Sequence, residues 1–157
     1  MPYLITKQIC IALFIAIVIS QVCPTRGWRG IVPLKSTRAD VERILGPPTE
    51  KSGITYLPDK SVVVQYSTRR CDDGWDVPPG TVIAFDIRLD PIVSLADLRL
   101  DLTKYKKVRG DSDVSDHFYY VDEERGFAIS VRDGKADAFI YQPTAKDKSR
   151  RCPEKPD

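Results

Sequence analysis

Stretches in which apolar and polar residues alternate occur along the chain from residue 53 onward, and they predict β-strands. Successive side chains of a strand point to opposite faces, so this alternation indicates a sheet with one face on a core. Polar turns separate the stretches at 59–60, 122–126 and 133–134. Strands are therefore expected over Gly53–Pro58, Ser61–Ser67, Thr81–Pro91 and three runs between His117 and Pro143.

The stretch STRADVERILGPP, from Ser36 to Pro48, predicts a helix of about two turns. Thr37 can cap its N-terminus, with Asp40 three residues later as the partner in a capping box. Gly46 suits the left-handed position after the last turn, and Pro47 prevents the helix from continuing. One face carries the apolar residues Val41, Ile44 and Leu45, so this helix is expected to pack on the sheet.

A second short helix is predicted after Ser94, with Asp97 as its capping partner. Two halves of the chain, about 31–91 and 92–143, then show the same order of a helix followed by three strands. These patterns predict an α+β fold with one or more antiparallel sheets and two short helices on one face. They also indicate a weak tandem repeat of a helix followed by a β-meander.

The N-terminus carries the pattern of a signal peptide. An apolar run, Ile9–Ile19, follows the single cation Lys7, and no acidic residue occurs before Asp40. We assign 1–20 as a signal peptide, with an uncleaved membrane anchor as the alternative and a lipidated Cys23 as a further one. Residues 21–30 are then a linker, 31–152 a single domain and 153–157 a flexible tail. An exported protein, periplasmic or extracellular, is the expectation.

The chain holds 24 Lys and Arg against 22 Asp and Glu, with no single clustered basic face apparent. This balance argues against nucleic acid as a partner. Basic and acidic residues also interleave in the tail from Lys146 to Asp157, which predicts a solvated segment. Of the four cysteines, Cys71 and Cys152 both lie in polar, turn-like sequence of the mature domain. In an oxidising compartment they predict a disulfide that ties the tail to the middle of the domain.

Catalytic chemistry has little support in the sequence. The single histidine, His117, follows the polar run RGDSDVSD, which contains no nucleophile elbow and reads as a loop. The acidic residues of that run, Asp111, Asp113 and Asp116, lack the spacing of a calcium loop. We therefore expect no enzyme activity, no metal and no cofactor.

The loop CDDGWDVPPG, Cys71 to Gly80, is the best candidate for contact with a protein partner in the cell envelope. A Trp in a stiff polar loop is typical of interface hot spots, and Asp72, Asp73, Trp75 and Asp76 are the expected contact residues. Trp75 folded back over the sheet is the competing interpretation. The alternative function is an inhibitor or small-ligand module whose sheet face is lined by tyrosines. Those tyrosines are Tyr56, Tyr66, Tyr119 and Tyr141.

The capped helix, the Leu45-Gly46 and Pro48 that end it, and the Tyr56 strand resemble the SmpA/OmlA-type domain of outer-membrane assembly lipoproteins. Tandem copies of such units resemble the architecture of β-lactamase-inhibitor proteins. The resemblance implies a helix packed across an antiparallel sheet and a domain that binds proteins without catalysis. Two departures are the poor lipidation site at Cys23 and the long loop between strands.

Overall fold

A computed structural model describes residues 26–48, 54–57, 60–71, 73–110 and 116–153. The predicted signal peptide lies outside these residues. Within them the chain forms an α+β fold around one antiparallel sheet of seven strands, in the order β1-β2-β3-β7-β6-β5-β4. The strands are β1 Ile54–Leu57, β2 Lys60–Tyr66, β3 Val82–Ser94, β4 Lys106–Arg109, β5 His117–Asp122, β6 Phe127–Arg132 and β7 Lys135–Tyr141, and the helix α1 is Arg38–Leu45. In the described part of the chain no helix is long and apolar enough to span a membrane.

The strands expected from alternation form, and each pairs with its neighbour in an antiparallel register. The sheet joins two meanders, β1-β2-β3 and β4-β5-β6-β7, through the pairing of β3 with β7. The strand that ends each meander thus lies at the middle of the sheet. The tandem repeat itself stays a prediction.

The helix α1 begins and stops where the sequence predicts, although Gly46 has a ψ of 172° and not the expected left-handed helical conformation. The hydroxyl of Thr37 accepts a hydrogen bond from the Asp40 backbone N–H at 3.3 Å, and the Asp40 carboxylate accepts one from the Thr37 N–H at 2.9 Å. Gly46 follows the last turn at φ 84°, where a side chain would be strained. The capping box and the glycine therefore confine the helix to eight residues.

The main core lies between α1 and one side of the sheet, which we call the helix face. Phe85 is 1% exposed there and stacks on Tyr141, with 4.8 Å between the ring centroids. The fully buried members of this cluster are Ile31, Val41, Val62, Val82, Phe85 and Ile87. Burial of these apolar side chains is the main source of stability for so short a helix, which would not form alone.

The prediction of a second capped α-helix after Ser94 is wrong both in the type of helix and in its cap. Residues Leu95–Leu98 form a single turn of 3₁₀-helix, and the Ser94 side chain makes no capping hydrogen bond. Ser94 still belongs to β3, and Arg99 adopts a left-handed φ of 50° that ends the turn at once. The connection to β4 therefore consists of this turn and a second short 3₁₀-helix, Leu102–Lys104.

Two features of the sheet extend beyond the predicted strands. Strand β3 continues through Pro91, which lies in the register shift between Arg88 and Val93 opposite β7. A proline is tolerated there because no ladder hydrogen bond is required of it. The edge strand β4 was not predicted, since its sequence KKVR contains a single apolar residue and is exposed throughout.

The segment predicted as solvated is exposed at most of its described residues, 146–153, and it is also held against the domain. Ala145–Arg150 forms a 3₁₀-helix with a capping box between Thr144 and Asp147. The Arg26 guanidinium donates to the Asp147 carboxylate at 2.9 Å. Arg26 belongs to the predicted linker, and Trp28 of the same segment packs against the main core. Residues 26–30 are therefore part of the folded unit.

Candidate functional site

The loop Cys71–Gly80 is tied to the C-terminal segment by covalent and backbone bonds. The predicted disulfide joins Cys71 to Cys152, with 5.6 Å between the Cα atoms, which confirms that prediction. The Asp76 N–H donates to the Arg150 carbonyl at 2.8 Å, and the Cys152 N–H donates to the Gly74 carbonyl at 3.0 Å. These three links, at Cys71, Gly74 and Asp76, hold the loop against residues 150–152.

Trp75 is half-buried in this arrangement. One part of the indole packs against a small core of Leu34, Val77 and Ile83. The guanidinium of Arg151 lies 4.8 Å from the centre of its ring, a cation–π distance. Trp75 therefore covers the small core, as the competing interpretation expects, and keeps part of its ring in solvent.

A cavity of about 450 Å³ opens beside Trp75. Its remaining walls come from the ends of β3, β5 and β7 and from the C-terminal segment, and Lys148 and Arg151 bring positive charge to it opposite Glu123. The lining residues are Trp75, Ile83, Ala84, Val121, Glu123, Gln142, Pro143, Thr144, Ala145, Lys148 and Arg151. A ring with neighbouring cations at a concave surface can bind an apolar group that carries negative charge.

The acidic residues predicted in this loop have partners on the domain itself. Asp76 forms an ion pair with Arg70, and Asp73 accepts a weak hydrogen bond from Gln65 at 3.4 Å. Asp72 lies outside the described residues. Asp73 and Asp76 thus help to hold the loop, while Trp75 offers apolar surface.

The predicted tyrosine-lined face is divided between two sides of the sheet. Tyr66 and Tyr141 pack with the main core on the helix face, and the Arg38 guanidinium lies 4.2 Å from the ring centre of Tyr66. Burial raises the pKa of both phenols. Tyr119 lies on the opposite side, which we call the open face, and the side chain of Tyr56 is outside the described structure. The structure therefore does not bring Tyr119 together with Tyr66 and Tyr141.

A second cavity, of about 460 Å³, lies on the open face. The register aligns Arg88, Ala138, Ser130 and Tyr119 across four neighbouring strands, so their side chains share this side. The full lining is Asp86, Arg88, Leu89, Ile92, His117, Tyr119, Ser130, Arg132, Asp137, Ala138 and Ile140. Its volume is in the range of small-molecule sites, and we call it the open-face cavity.

Only some of the polar groups at the open-face cavity have hydrogen-bond partners. Nε2 of His117 and Oγ of Ser130, both in nearly buried residues, lie 3.0 Å apart and form a hydrogen bond. Burial raises the pKa of Asp86, and the nearby Arg88 offsets this only in part. Oδ1 of Asp137 is buried and has no hydrogen-bond partner. The lining of the cavity thus carries two carboxylates, Asp86 and Asp137, and two guanidinium groups, Arg88 and Arg132, and Arg132 forms an ion pair with Asp137 at 3.7 Å.

The described residues offer a Ser–His pair but no arrangement that would activate it. Ser130 lies inside β6, where neighbouring backbone N–H groups are used in the sheet rather than converging on a reaction centre. Asp111, Ser112, Asp113 and Ser115 of the polar run are outside the described residues. One grouping of metal-binding residue types, Cys71, Asp76 and Cys152, contains both half-cystines, which have no thiolate to donate.

Sequence reasoning missed the open-face cavity. Asp86 and Ser130 occupy alternate positions that read as an ordinary solvated side of a sheet, and Asp137 is the extra residue at the register shift between β6 and β7. The available signal was the shared strand parity of Asp86 and Ser130 with Tyr119. It becomes informative only when the order and register of the strands are known.

Comparisons with known proteins show a likeness in fold. The sequence matches no protein-family model and no curated protein. A solved structure of a DUF4309 family protein, YjgB from Bacillus subtilis, is similar with a TM-score of 0.51 and 15% sequence identity. The match covers 74% of this chain and 84% of that one. At this identity the likeness concerns the architecture alone.

Proposed function

We propose that this chain is an exported, non-enzymatic interaction domain that presents the loop Cys71–Gly80 to a protein partner in the cell envelope. The antiparallel sheet serves as a rigid base, and the loop with Trp75 serves as the contact surface. The resemblance to SmpA/OmlA-type domains, and through them to tandem inhibitor-like architectures, belongs to this proposal.

The observation that carries the proposal is the fixed, half-buried position of Trp75. Trp and Arg are enriched at binding hot spots because they bury much area at a small entropic cost. Here the disulfide and the backbone bonds to 150–152 hold the indole before any partner arrives. A preorganised contact loses less conformational entropy on binding, so more of its contact energy appears as affinity.

Export has indirect support. Disulfides form and persist mainly in oxidising compartments, and the Cys71–Cys152 bond agrees with the signal-peptide pattern of residues 1–20. Membrane attachment, if present, would come through an uncleaved N-terminal segment or a lipidated Cys23. Nucleic acid does not enter the proposal.

Site-specific photocrosslinking in the organism that carries the chain would test the contact surface. A photoreactive residue at Pro79, exposed in the loop, should give a discrete crosslinked protein, whereas the same residue at Glu42, exposed on α1, should not. Trp75→Ala should abolish the Pro79 product while the purified variant keeps its far-UV circular dichroism. Trp75→Phe, which keeps an aromatic ring, should retain part of the product.

Equal crosslinking from Pro79 and Glu42, or a Pro79 product that persists in Trp75→Ala, would contradict the proposed surface. If Trp75→Ala fails to fold, the folded Trp75→Phe variant still decides the question. If the Pro79 product is undiminished in Trp75→Phe, in Lys148→Ala and in Arg151→Ala, this side of the domain is excluded as the contact surface.

A second candidate function is a small-ligand-binding module. The open-face cavity favours it, with Tyr119 as the one predicted tyrosine that lines the cavity.

A further inference from the structure

We infer that the protein segment bound beside Trp75 carries an apolar side chain next to an acidic one. The apolar side chain enters the cavity of about 450 Å³ beside Trp75, which we call the Trp75 cavity, and the carboxylate meets Lys148 and Arg151. This inference rests on the proposed function, because it specifies the chemistry of the partner at the same surface. It depends on a fixed pair of Trp75 and Arg151, an apolar cavity wall and an excess of positive charge.

Trp75 and Arg151 form a cross-strand pair. They face each other in an isolated antiparallel bridge, and backbone hydrogen bonds between residues 74–76 and 150–152 flank them on both sides. In this pattern the two side chains lie on the same side of the bridge and close together. The backbone therefore fixes the guanidinium near the indole, in agreement with the 4.8 Å between the Arg151 Cζ atom and the ring centre. A group that packs on the rest of the ring has a cation within reach.

Apolar side chains form much of the wall of the Trp75 cavity. Trp75 is half-buried, and Ala84, Val121, Pro143 and Ala145 line the cavity with part of their surface exposed. An apolar side chain that covers these groups removes them from water, which favours binding. The volume is in the range of small-molecule sites, so it is large enough for an aromatic side chain of a partner.

The charged residues of the lining determine the sign of the partner. Lys148 and Arg151 are exposed, and within the described residues neither forms an ion pair with Asp or Glu. Glu123, the acidic residue of the lining, lies 3.8 Å from the Lys106 ammonium group. Positive charge is therefore in excess at the Trp75 cavity. A carboxylate of the partner would be attracted there, whereas a lysine would be repelled.

The donors at this cavity favour an acidic side chain over a free C-terminus. The backbone N–H of Arg151 already donates to the Lys148 carbonyl at 3.1 Å, so the long side chains of these two residues remain as donors. Free C-termini are typically held by several backbone N–H groups that converge on the carboxylate. Flexible cationic side chains suit the carboxylate of an Asp or Glu within a continuous segment.

Blocked tetrapeptides are suitable probes, with acetyl-Gly-Glu-Phe-Gly-amide as the acidic peptide and its Gln and Lys counterparts as the neutral and basic ones. In ¹⁵N–¹H NMR of the full chain, the acidic peptide should shift the indole N–H signal of Trp75, which is identified by its absence in Trp75→Phe. The neutral peptide should bind about threefold more weakly and the basic peptide about tenfold more weakly. A salt concentration of about 1 M should remove most of this difference, since the cations are exposed.

Substitutions of the two cations test their role. Lys148→Gln and Arg151→Gln should each weaken binding of the acidic peptide about threefold. Lys146→Gln is the matched control, because Lys146 is exposed in the same short helix and does not line the cavity, and it should leave the affinity unchanged. Lys148→Glu combined with Arg151→Glu should reverse the preference, so that the basic peptide binds more tightly than the acidic one. A purely structural role of these residues would not produce such a reversal.

Equal binding of the three peptides, or no shift of the Trp75 signal at about 10 mM acidic peptide, would overturn the inference. A shift produced by phosphatidylglycerol vesicles and by none of the peptides would overturn it in favour of a membrane surface. A Pro79 crosslink that is lost in Trp75→Ala but undiminished in the double Glu variant would overturn the acidic chemistry and leave the proposed surface in place. Failure of the proposed function itself would instead appear as equal crosslinking from Pro79 and Glu42.

Discussion

Removal of the Cys71–Cys152 disulfide should cost this domain a large part of its stability. The bond links residues that are 81 positions apart, so it restricts much of the unfolded chain. In the chain-entropy account a loop of about 80 residues corresponds to about 4.5 kcal/mol at 25 °C. Domains of this size have free energies of unfolding of about 5–15 kcal/mol, so the loss is a considerable fraction of the total.

Urea unfolding at neutral pH, followed by circular dichroism, would measure this loss. Cys71→Ala with Cys152→Ala should be compared with the oxidised parent, both carrying Cys10→Ser and Cys23→Ser to prevent incorrect pairing. The midpoint should fall by roughly 1.5–4.5 M, given slopes of about 1–3 kcal/mol per molar urea for small proteins. The parent in a reducing agent should show the same fall.

A change in the unfolding free energy below about 1 kcal/mol would refute this reasoning. It would mean that residues 71 and 152 already lie close together in the unfolded chain, so that the cross-link removes little freedom. An unchanged midpoint for the reduced parent combined with a large loss in the double variant would instead assign the effect to the alanine substitutions.

Three further predictions concern the core, the caps and the pH dependence. Phe85→Ala should lower the free energy of unfolding by about 3–5 kcal/mol in urea titrations; a loss below about 1 kcal/mol would contradict the buried ring. Thr37→Ala should cost about 1 kcal/mol, whereas Ser94→Ala should change stability by less than about 0.5 kcal/mol; equal losses would refute the capping assignment. The pKa of Asp147 is lowered because, although burial acts to raise it, hydrogen bonds from Thr144 and the charge of Arg26 outweigh that effect. Its stabilisation is present above the unfolded-state pKa and is lost as the pH falls through the folded-state pKa, so the destabilisation caused by Asp147→Asn at pH 7 should shrink as the pH is lowered; a deficit that stays constant would refute it.

The local signals in the sequence were sufficient for most of the fold. Alternation and turn residues predict six of the strands, and the capping box of Thr37 and Asp40 predicts the start of α1. They failed where tertiary contacts outweighed local preference. Ser94 carries the same capping pattern but lies in a strand paired with β7, and KKVR forms β4 because β5 offers it a partner. Neither pairing can be read from a single stretch of sequence.

The two candidate sites also differ in how far the sequence alone predicts them. The disulfide and the Trp75 loop could be predicted because cysteine pairing and loop composition are properties of the chain alone. The open-face cavity could not, since its polar groups come from β3, β5, β6 and β7 and meet only in one register. His117 was singled out as the sole histidine, but its contact with Ser130 crosses between strands. A shift of one residue would have sent the two side chains to opposite sides.

The central position of β7 determines when the domain can be completed during synthesis. A ribosome releases β1–β3 some 40 residues before β7, so for that period the edge of β3 has no neighbour and Phe85 has no ring to stack on. Cys152, which closes the bond to Cys71, arrives later still. The emerging polypeptide therefore cannot complete the sheet until residue 141 has left the ribosome, and it cannot close the disulfide until residue 152 has.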